Sequence, residues 1–455
     1  MKKVIIYGTG NLYEKYYDKF YDLEIIGVVD SNYKKHGMNI YGHIVGNPEI
    51  IKSMQYDFII LLILDYYNLR QELILKGINA NTIKTIDDYE FFDKYRQINS
   101  TYCKRQNSDI LLISHDMNYR GAPLMLYNMA KILNECGYGV DVACDTNGEL
   151  NNIFVNNGCG VLYFTDFNLK EEDIIKYMGG YKLIIVNTLA LWRIIPRLKC
   201  LNKKIVWWLH EEESAYSILN VDLKKIELYN NLKIYGVGIK AIEAFKNHTS
   251  KKVLINCLQW GIEDGVGERH LINYEAGKLI FAVIGPVTYI KGQDFLIDTL
   301  NKCSKKITDN IEVMIIGDIS EELKKEYEKN TSVKCFGKLN HERLMKLYDK
   351  IGIVLSVSRN DTFPVALIEG MMTKKVCVMS DAVGTTEFIS NYENGIIFKS
   401  ENSQDLIQKI EWCLNNRKQL RTIAVKGYKT YTRFFSKESF KNNVYGIVNE
   451  MIANK

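Results

Sequence analysis

The sequence predicts an α/β protein made of three units of parallel sheet with crossover helices. Three observations predict it. Apolar runs of strand length alternate with amphipathic helical stretches, in "KVIIYG", "EIIGVVD", "DFIILLIL", "DILLIS", "KLIIVN", "KIVWWL", "LIFAVIG", "VMIIG", "IGIVLSVS" and "KVCVMS". The 455 residues exceed what one hydrophobic core usually organises. Two stretches break the rhythm, the polar "RQINSTYCKRQNSD" from Arg96 to Asp109 and "WGIEDGVGERHLINYEAGK" from Trp260 to Lys278. The expected units are therefore 1–97, 108–265 and 275–435, and a last helix at 436–455 is expected to pack back on the second unit.

Composition narrows the class. Hydrophobic residues make up 47% and charged residues 25%, ordinary values for a folded chain. The net charge of +5 is too weak to argue for nucleic acid, although scattered Lys-Lys pairs allow loose contact with an anionic membrane surface. The ten cysteines form no C-x-x-C pair and cluster with no histidine, which reads as free thiols in a reducing compartment and gives no metal site. The start, "MKKVIIYGTGNLYEKYY", runs from a short apolar stretch into a glycine loop and charges, unlike a signal peptide. The most apolar window, Phe58 to Leu64, is far too short to span a bilayer. A cytoplasmic protein is expected, with room for peripheral contact at the inner face of a membrane.

Open parallel sheets hold ligands at the carboxyl ends of their strands, and four such places stand out. In "LLISHDMNYRGAPLMLYNMAKIL" a strand ends at Ser114 and His115, and Gly121 precedes a helix that Pro123 helps to start. Backbone N–H groups there suit a phosphate or sugar, although an ordinary strand-to-helix turn reads the same way. In "KKIVWWLHEEESAY" His210 follows a strand and suits a sugar hydroxyl or acid/base work, or simply caps the strand. In "LIFAVIGPVTYIKGQDFLIDTL" Lys291 stands at a helix start, the wrong charge for the macrodipole unless an anion is shared there. In "IGIVLSVSRNDTFPVALIEGM" a strand ends near Ser356 or Ser358, Pro364 suits the first helical position, and Glu369 follows Asp361 by eight residues. Eight residues is a little over two helical turns. Asp361 should sit at a mouth and Glu369 deeper, among apolar neighbours, where it needs a hydrogen-bonding partner such as ribose hydroxyls.

In chain order these segments resemble glycosyltransferase family 4, the retaining GT-B enzymes that use nucleotide sugars. The resemblance covers about 110 to 450 and is most specific from Ser358 to Phe398, where "SRNDTFPVALIEGM" is similar to the family's acidic-x7-Glu motif and "DAVGTTEFISNYENGIIF" to the segment after it. It implies a GT-B fold of two Rossmann-like domains, 108–265 on the acceptor side and 275–435 on the donor side. It also implies roles: Glu369 on the ribose, Asp361 facing the donor sugar, and Lys291 on the diphosphate of a UDP- or GDP-sugar. Gly121 falls beside that diphosphate, His210 near the transferred sugar, and Ser358, Gly384, Thr385 and Glu387 in the donor segments. No metal and no separate cofactor is implied. The acceptor class is a glycan or lipid-linked glycan of a bacterial surface polysaccharide, and a non-catalytic sugar-binding or docking module is the alternative. Two departures bear on the diphosphate. Pro286 stands where many members have arginine, which turns attention to Arg120 and Arg359, and Pro364 replaces a common glycine and has no N–H.

Residues 1–97 lie outside that pattern. Gly8 and Gly10 follow a strand and Asp30 ends the next, the dinucleotide fingerprint up to its third glycine, where Tyr13 stands. The unit resembles the small Rossmann-like domains of some bacterial polysaccharide-biosynthesis proteins. A nucleotide site and a ligand-free docking module both fit it.

Overall fold

A computed structural model of the chain describes residues 1–63, 66–86, 88, 91, 108–119, 121–146, 148–164, 167, 169–249, 252–264 and 271–452. Residues 96–107 of the first break, 265–270 of the second, and Arg120 lie outside the described residues.

The first sheet contains β1 (Lys2–Tyr7), β2 (Leu23–Val29), β3 (Asn39–Ile40), β4 (His43–Gly46), β5 (Phe58–Leu61) and β6 (Ile83–Thr85) in the order β3-β4-β2-β1-β5-β6. The second contains β7 (Ile110–Ser114), β8 (Val140–Cys144), β9 (Gly160–Tyr163), β10 (Leu183–Asn187), β11 (Lys204–Leu209), β12 (Leu232–Gly236) and β13 (Ile255–Cys257) in the order β13-β12-β11-β10-β7-β8-β9. The third contains β14 (Leu279–Ile284), β15 (Ile311–Ile316), β16 (Val333–Gly337), β17 (Ile353–Ser356), β18 (Val376–Ser380) and β19 (Ile396–Phe398) in the order β16-β15-β14-β17-β18-β19. Every described pairing is parallel except β3 with β4. This is the GT-B architecture, two α/β halves preceded by a third small α/β unit.

The strands form because their apolar runs are buried on both faces, as a parallel sheet between helix layers requires. All five residues of β7 are buried, as are those of β10 and β18. Helix Gly121–Glu135 buries Met125, Leu126, Met129, Ile132 and Leu133, the stripe of a helix lying on a sheet. In the second sheet the order reverses between β7 and β10, and in the third between β14 and β17. Each reversal opens a crevice at the carboxyl ends of the strands.

The two halves share a core. Trp260, Phe363 and Phe435 pack edge to face with ring centroids 5.2 and 5.3 Å apart, and Phe388 joins Phe435 at 4.9 Å. The final helix, Lys437–Ile452, lies on the second unit: Phe440 stacks on Trp208 at 5.8 Å, Lys437 pairs with Glu135 at 2.8 Å, and Glu450 pairs with Lys233. Among the described residues no helix is long and apolar enough to cross a membrane. One local expectation shifts. Pro364 is the N-cap, with φ −63° and an extended ψ of 113°, so the helix runs Val365–Met372 and begins one residue later than the proline suggested.

The first unit has its own core on both faces of its sheet, around Val4, Ile6, Tyr13 and Ile60 on one and Ile5, Val29 and Ile59 on the other. It meets the second unit through Lys15, whose Nζ lies 2.6 Å from Asp145 Oδ2, both side chains largely covered. A chain beginning at Ser108 should therefore fold, since β7–β19 and their helices bury their cores without it. Lys15→Met in the full chain should cost about 1 kcal/mol at the junction. Calorimetric unfolding checks both; a shortened chain with no cooperative transition would show that the first unit is needed for folding.

Candidate functional site

The mouth of the third unit is built where β14 and β17 end. After β17 the chain runs through Ser358, which is 3% exposed, to Asp361. Ser380 donates from Oγ to the Ser358 carbonyl at 2.6 Å, and Gly384 donates its N–H to the Asp361 carbonyl at 2.9 Å, which ties this turn to the end of β18. Lys291 comes from the loop before helix Gln293–Asn301. Its ammonium donates to Asp361 Oδ2 at 2.5 Å. Gly292 makes this possible: its φ is +74°, and a Cβ there would stand 2.3 Å from the Val357 carbonyl oxygen. A narrow cavity reaches in between Lys291, Asp361, Ser356, Ser358, Pro364 and Ala366.

Glu369 lies deeper along helix Val365–Met372 and is 8% exposed. Tyr348 donates its hydroxyl to Glu369 Oε2 at 3.1 Å. Burial outweighs that hydrogen bond and pushes the Glu369 carboxyl from 4.5 up to about 7. Arg359 is committed elsewhere. Its two terminal nitrogens donate to Asp294 at 2.8 Å each, its Nε to Glu401 at 2.8 Å, and Nη1 also to the Tyr289 carbonyl at 2.6 Å.

The facing half brings up His210, at the end of β11. Its ring packs against Trp208 at 4.4 Å, and its Nε2 is shut off from solvent with no protein partner. Burial, and then the nearby charge of His115, hold His210 down to about 3, so the ring is neutral at physiological pH. Glu211 organises this corner, its Oε2 accepting from the N–H groups of Leu189 at 2.8 Å and His210 at 2.9 Å. Burial raises the Glu211 carboxyl. His115 bonds Thr188 Oγ1 at 3.2 Å and Asp116 at 3.2 Å. Burial alone would lower its pKa, but Asp116, Glu211 and Asp145 together raise it. Thr188 holds φ +79°, a strained conformation for a β-branched residue, beside these histidines. Gly121 is the first residue of its helix, with open space where a Cβ would stand.

Among the described residues, two side-chain hydrogen bonds cross the cleft. Asn360 donates to Glu212 Oε2 at 2.5 Å. Ile239, first residue of helix Ile239–His248, donates its N–H to Glu387 Oε1 at 3.1 Å, so a carboxylate from the third unit caps a helix of the second. Burial raises the Glu387 pKa, and Glu243 adds to it. Lys291, Asp361, Ser358 and Gly384 are thus brought together, with Glu369 behind them and His210 on the opposite wall. Thr385 is wholly buried, its hydroxyl 3.5 Å from Met379 Sδ. Asn360, Glu212 and Tyr348 escaped the sequence reading, because nothing in their spacing ties them to partners in other segments.

In the first unit Gly8 has φ +103°. The Asp30 carboxylate takes the Thr9 N–H at 2.9 Å, the Thr9 hydroxyl at 2.5 Å, the Asn32 N–H at 2.8 Å and Lys35 Nζ at 3.1 Å. Burial opposes ionisation, but these bonds hold its pKa down to about 2. Gly10 caps the short helix Asn11–Tyr16, and Tyr13 is fully buried with its hydroxyl 2.8 Å from His43 Nδ1.

Comparison with known proteins places this geometry in a family. Residues 106–263 match the model for Glycosyl-transferase family 4 and residues 270–430 that for Glycosyl transferases group 1. Residues 1–86 match the C2185-like N-terminal domain. Two uncharacterized glycosyltransferases of Methanocaldococcus jannaschii are 25% identical over 193 residues and 26% identical over 306 residues, covering 42% and 65% of this chain. The alignments span about half (53%) of the first and 67% of the second. An N,N'-diacetylbacillosaminyl-diphospho-undecaprenol alpha-1,3-N-acetylgalactosaminyltransferase of Campylobacter jejuni is 33% identical over 81 residues, 18% of this chain and 22% of that enzyme. Among solved structures, Anabaena HepE in complex with UDP and glucose has a TM-score of 0.63 at 18% identity, covering 76% of this chain and all (100%) of that one. Sucrose-phosphate synthase from Thermosynechococcus elongatus has a TM-score of 0.60 at 14% identity, covering 77% of this chain and all (100%) of that one.

The Glu369 carboxyl makes stability depend on pH. Its folded pKa, about 7, lies above the ordinary 4.5, so between those values the folded chain holds a proton that the unfolded chain gives up. The stabilisation should be full below 4.5 and lost as pH rises through 7, about 3 kcal/mol in all. Denaturant melts across this range should show that loss in the wild type and a flatter profile in Glu369→Gln; equal slopes would place the titration elsewhere.

Proposed function

Because the chain belongs to the family 4 glycosyltransferases, we propose that its cleft moves a hexose from a UDP- or GDP-sugar to a glycan or lipid-linked glycan, with retention of configuration. The observation that carries the reading is the Lys291–Asp361 pair at the β14/β17 reversal, with the buried Glu369 two turns behind it. Residues 108–265 then form the acceptor side and 275–435 the donor side. Anabaena HepE, of like fold, binds UDP, and the Campylobacter jejuni relative is named for an undecaprenol-linked acceptor. The first supports a nucleotide-sugar donor and the second a lipid-linked acceptor, and a surface-polysaccharide role with peripheral membrane contact completes the proposal.

In this reading Glu369 accepts hydrogen bonds from the ribose hydroxyls, which favours its carboxylate form. The diphosphate draws Lys291 off Asp361, and Asp361 turns to the hydroxyls of the donor sugar. The charge falls on Lys291 and backbone N–H groups, and no divalent ion is assigned. An acceptor hydroxyl attacks the anomeric carbon on the face the diphosphate leaves. The carbon–oxygen bond to the diphosphate breaks, the new one forms on the same face, and the acceptor's proton passes to the leaving phosphate oxygen. His210, held neutral, carries no proton of its own into the step, and its Nε2, closed off in this structure, is the atom an opened cleft would offer the transferred sugar. Its neighbours keep it in place: Glu211 holds its backbone and Trp208 its ring.

Titration of UDP- and GDP-sugars by calorimetry tests the donor assignment. Affinity should rise with pH until Glu369 is ionised near 7, because binding the ribose expels its proton. Glu369→Gln should lower affinity about ten- to a hundredfold and remove that pH dependence. Unchanged affinity would contradict the ribose contact.

His210→Ala should lower turnover by about a hundredfold or more while leaving donor affinity nearly unchanged, since its ring faces the transferred sugar across the cleft. Transfer at the wild-type rate would make His210 a packing residue for Trp208.

A further inference from the structure

A nucleotide sugar brings a multiply charged diphosphate to the mouth, and the third unit alone offers it little net charge. Lys291 is already neutralised by Asp361 at 2.5 Å. Arg359 is held by Asp294 and Glu401. Pro286 and Pro364 have neither a charge nor an N–H to give. A second cation has to come from elsewhere.

The second unit presents one. Helix Ile239–His248 begins against the donor loop Gly384–Phe388, and Glu387 caps its first N–H. Gly238 permits the approach, since a Cβ there would stand 2.7 Å from Glu387 Oε1 and 3.5 Å from the Phe363 ring. Lys240 is the second residue of this helix. Its Cγ lies 3.4 Å from where a Cβ on Gly384 would stand, and the Gly384 N–H is bonded to the Asp361 carbonyl. The lysine stem therefore runs along the loop that holds Asp361. No carboxylate among the described residues pairs with it.

We propose that Lys240 is a donor-binding residue, whose ammonium meets the diphosphate of the nucleotide sugar from across the cleft. The proposal rests on the donor reading above. It makes donor binding a tie between the two halves, because the anion then bridges Lys291 of one and Lys240 of the other.

The test is calorimetric titration of the full chain with UDP, GDP, uridine and guanosine at low and at high salt. Lys240→Met keeps the stem and removes the charge; Lys240→Arg keeps the charge. Lys240→Met should bind whichever diphosphate the wild type prefers about tenfold more weakly at low salt, with a smaller salt dependence. Its affinity for the matching nucleoside should equal that of the wild type, and Lys240→Arg should bind the diphosphate nearly as well as lysine does. Wild-type diphosphate affinity and salt dependence in Lys240→Met overturn the proposal and leave the donor reading standing. An equal loss for nucleoside and diphosphate makes Lys240 a structural residue and overturns it too. Failure of the wild type to bind either diphosphate overturns the donor reading, and Lys240 with it.

Discussion

A glycine with no room for a side chain sets the mouth of the third unit. Gly292 turns through a positive φ against the Val357 carbonyl, and that close approach brings the Lys291 loop onto the end of β17. A Cβ there would stand 2.3 Å from the Val357 carbonyl oxygen, too close for any side chain, so the loop that carries Lys291, the partner of Asp361, would have to shift. The pair in turn needs Asp361 fixed, which the Gly384 N–H and the Ser380–Ser358 contact provide from β18. A backbone contact between a loop and a strand end thus positions a charge pair.

The cleft is closed by groups that each half lends the other. The N–H of Ile239 has no side-chain cap from its own half, since Gly238 stands at the N-cap, and Glu387 supplies it. Caps of this kind are worth about 1 kcal/mol, and Asn360 on Glu212 adds a second tie of similar size. Such contacts are weak enough to break and specific enough to set one geometry. The aromatic group of Trp260, Phe363, Phe388 and Phe435 lies behind them and stays apolar, which suits a fixed pivot more than a sliding surface.

Much of this could be read from the residues. All ten apolar runs singled out in the sequence are strands, because a strand buried on both faces is a continuous apolar run. β8 was not singled out: "VDVAC" carries the buried Asp141, whose partners, the Tyr181 hydroxyl and the Gly160 N–H, lie 40 and 19 residues away. β3, β4 and β19 are too short to show a pattern. At the site, the spacing of Asp361 and Glu369 is a local property of one turn and helix, and it was visible. The fate of Arg359 was not. Its guanidinium had been a candidate for the diphosphate, and Asp294 and Glu401, 65 and 42 residues distant, hold it. Lys240 escapes for the same reason, and so does the cap that Glu387 gives Ile239, since these partners belong to opposite halves.

The first unit shows how a motif can survive while its chemistry turns inward. In the dinucleotide fingerprint the acid at the end of the second strand is left open to a ribose. Here the Asp30 carboxylate gathers the N–H and hydroxyl of Thr9, the Asn32 N–H and the Lys35 ammonium. A ribose would have to compete with groups that already hold the carboxyl well below its ordinary pKa. Tyr13 fills the third glycine's place with a buried ring anchored on His43, so the following helix cannot approach the sheet as closely as the fingerprint needs. That helix instead directs Lys15 at Asp145, just past the end of β8, whose charge helps to raise the His115 pKa. This unit thus turns its acid inward and a lysine toward the second unit. Its described ion pair with the second unit falls on Asp145, a carboxylate whose charge reaches the histidine corner.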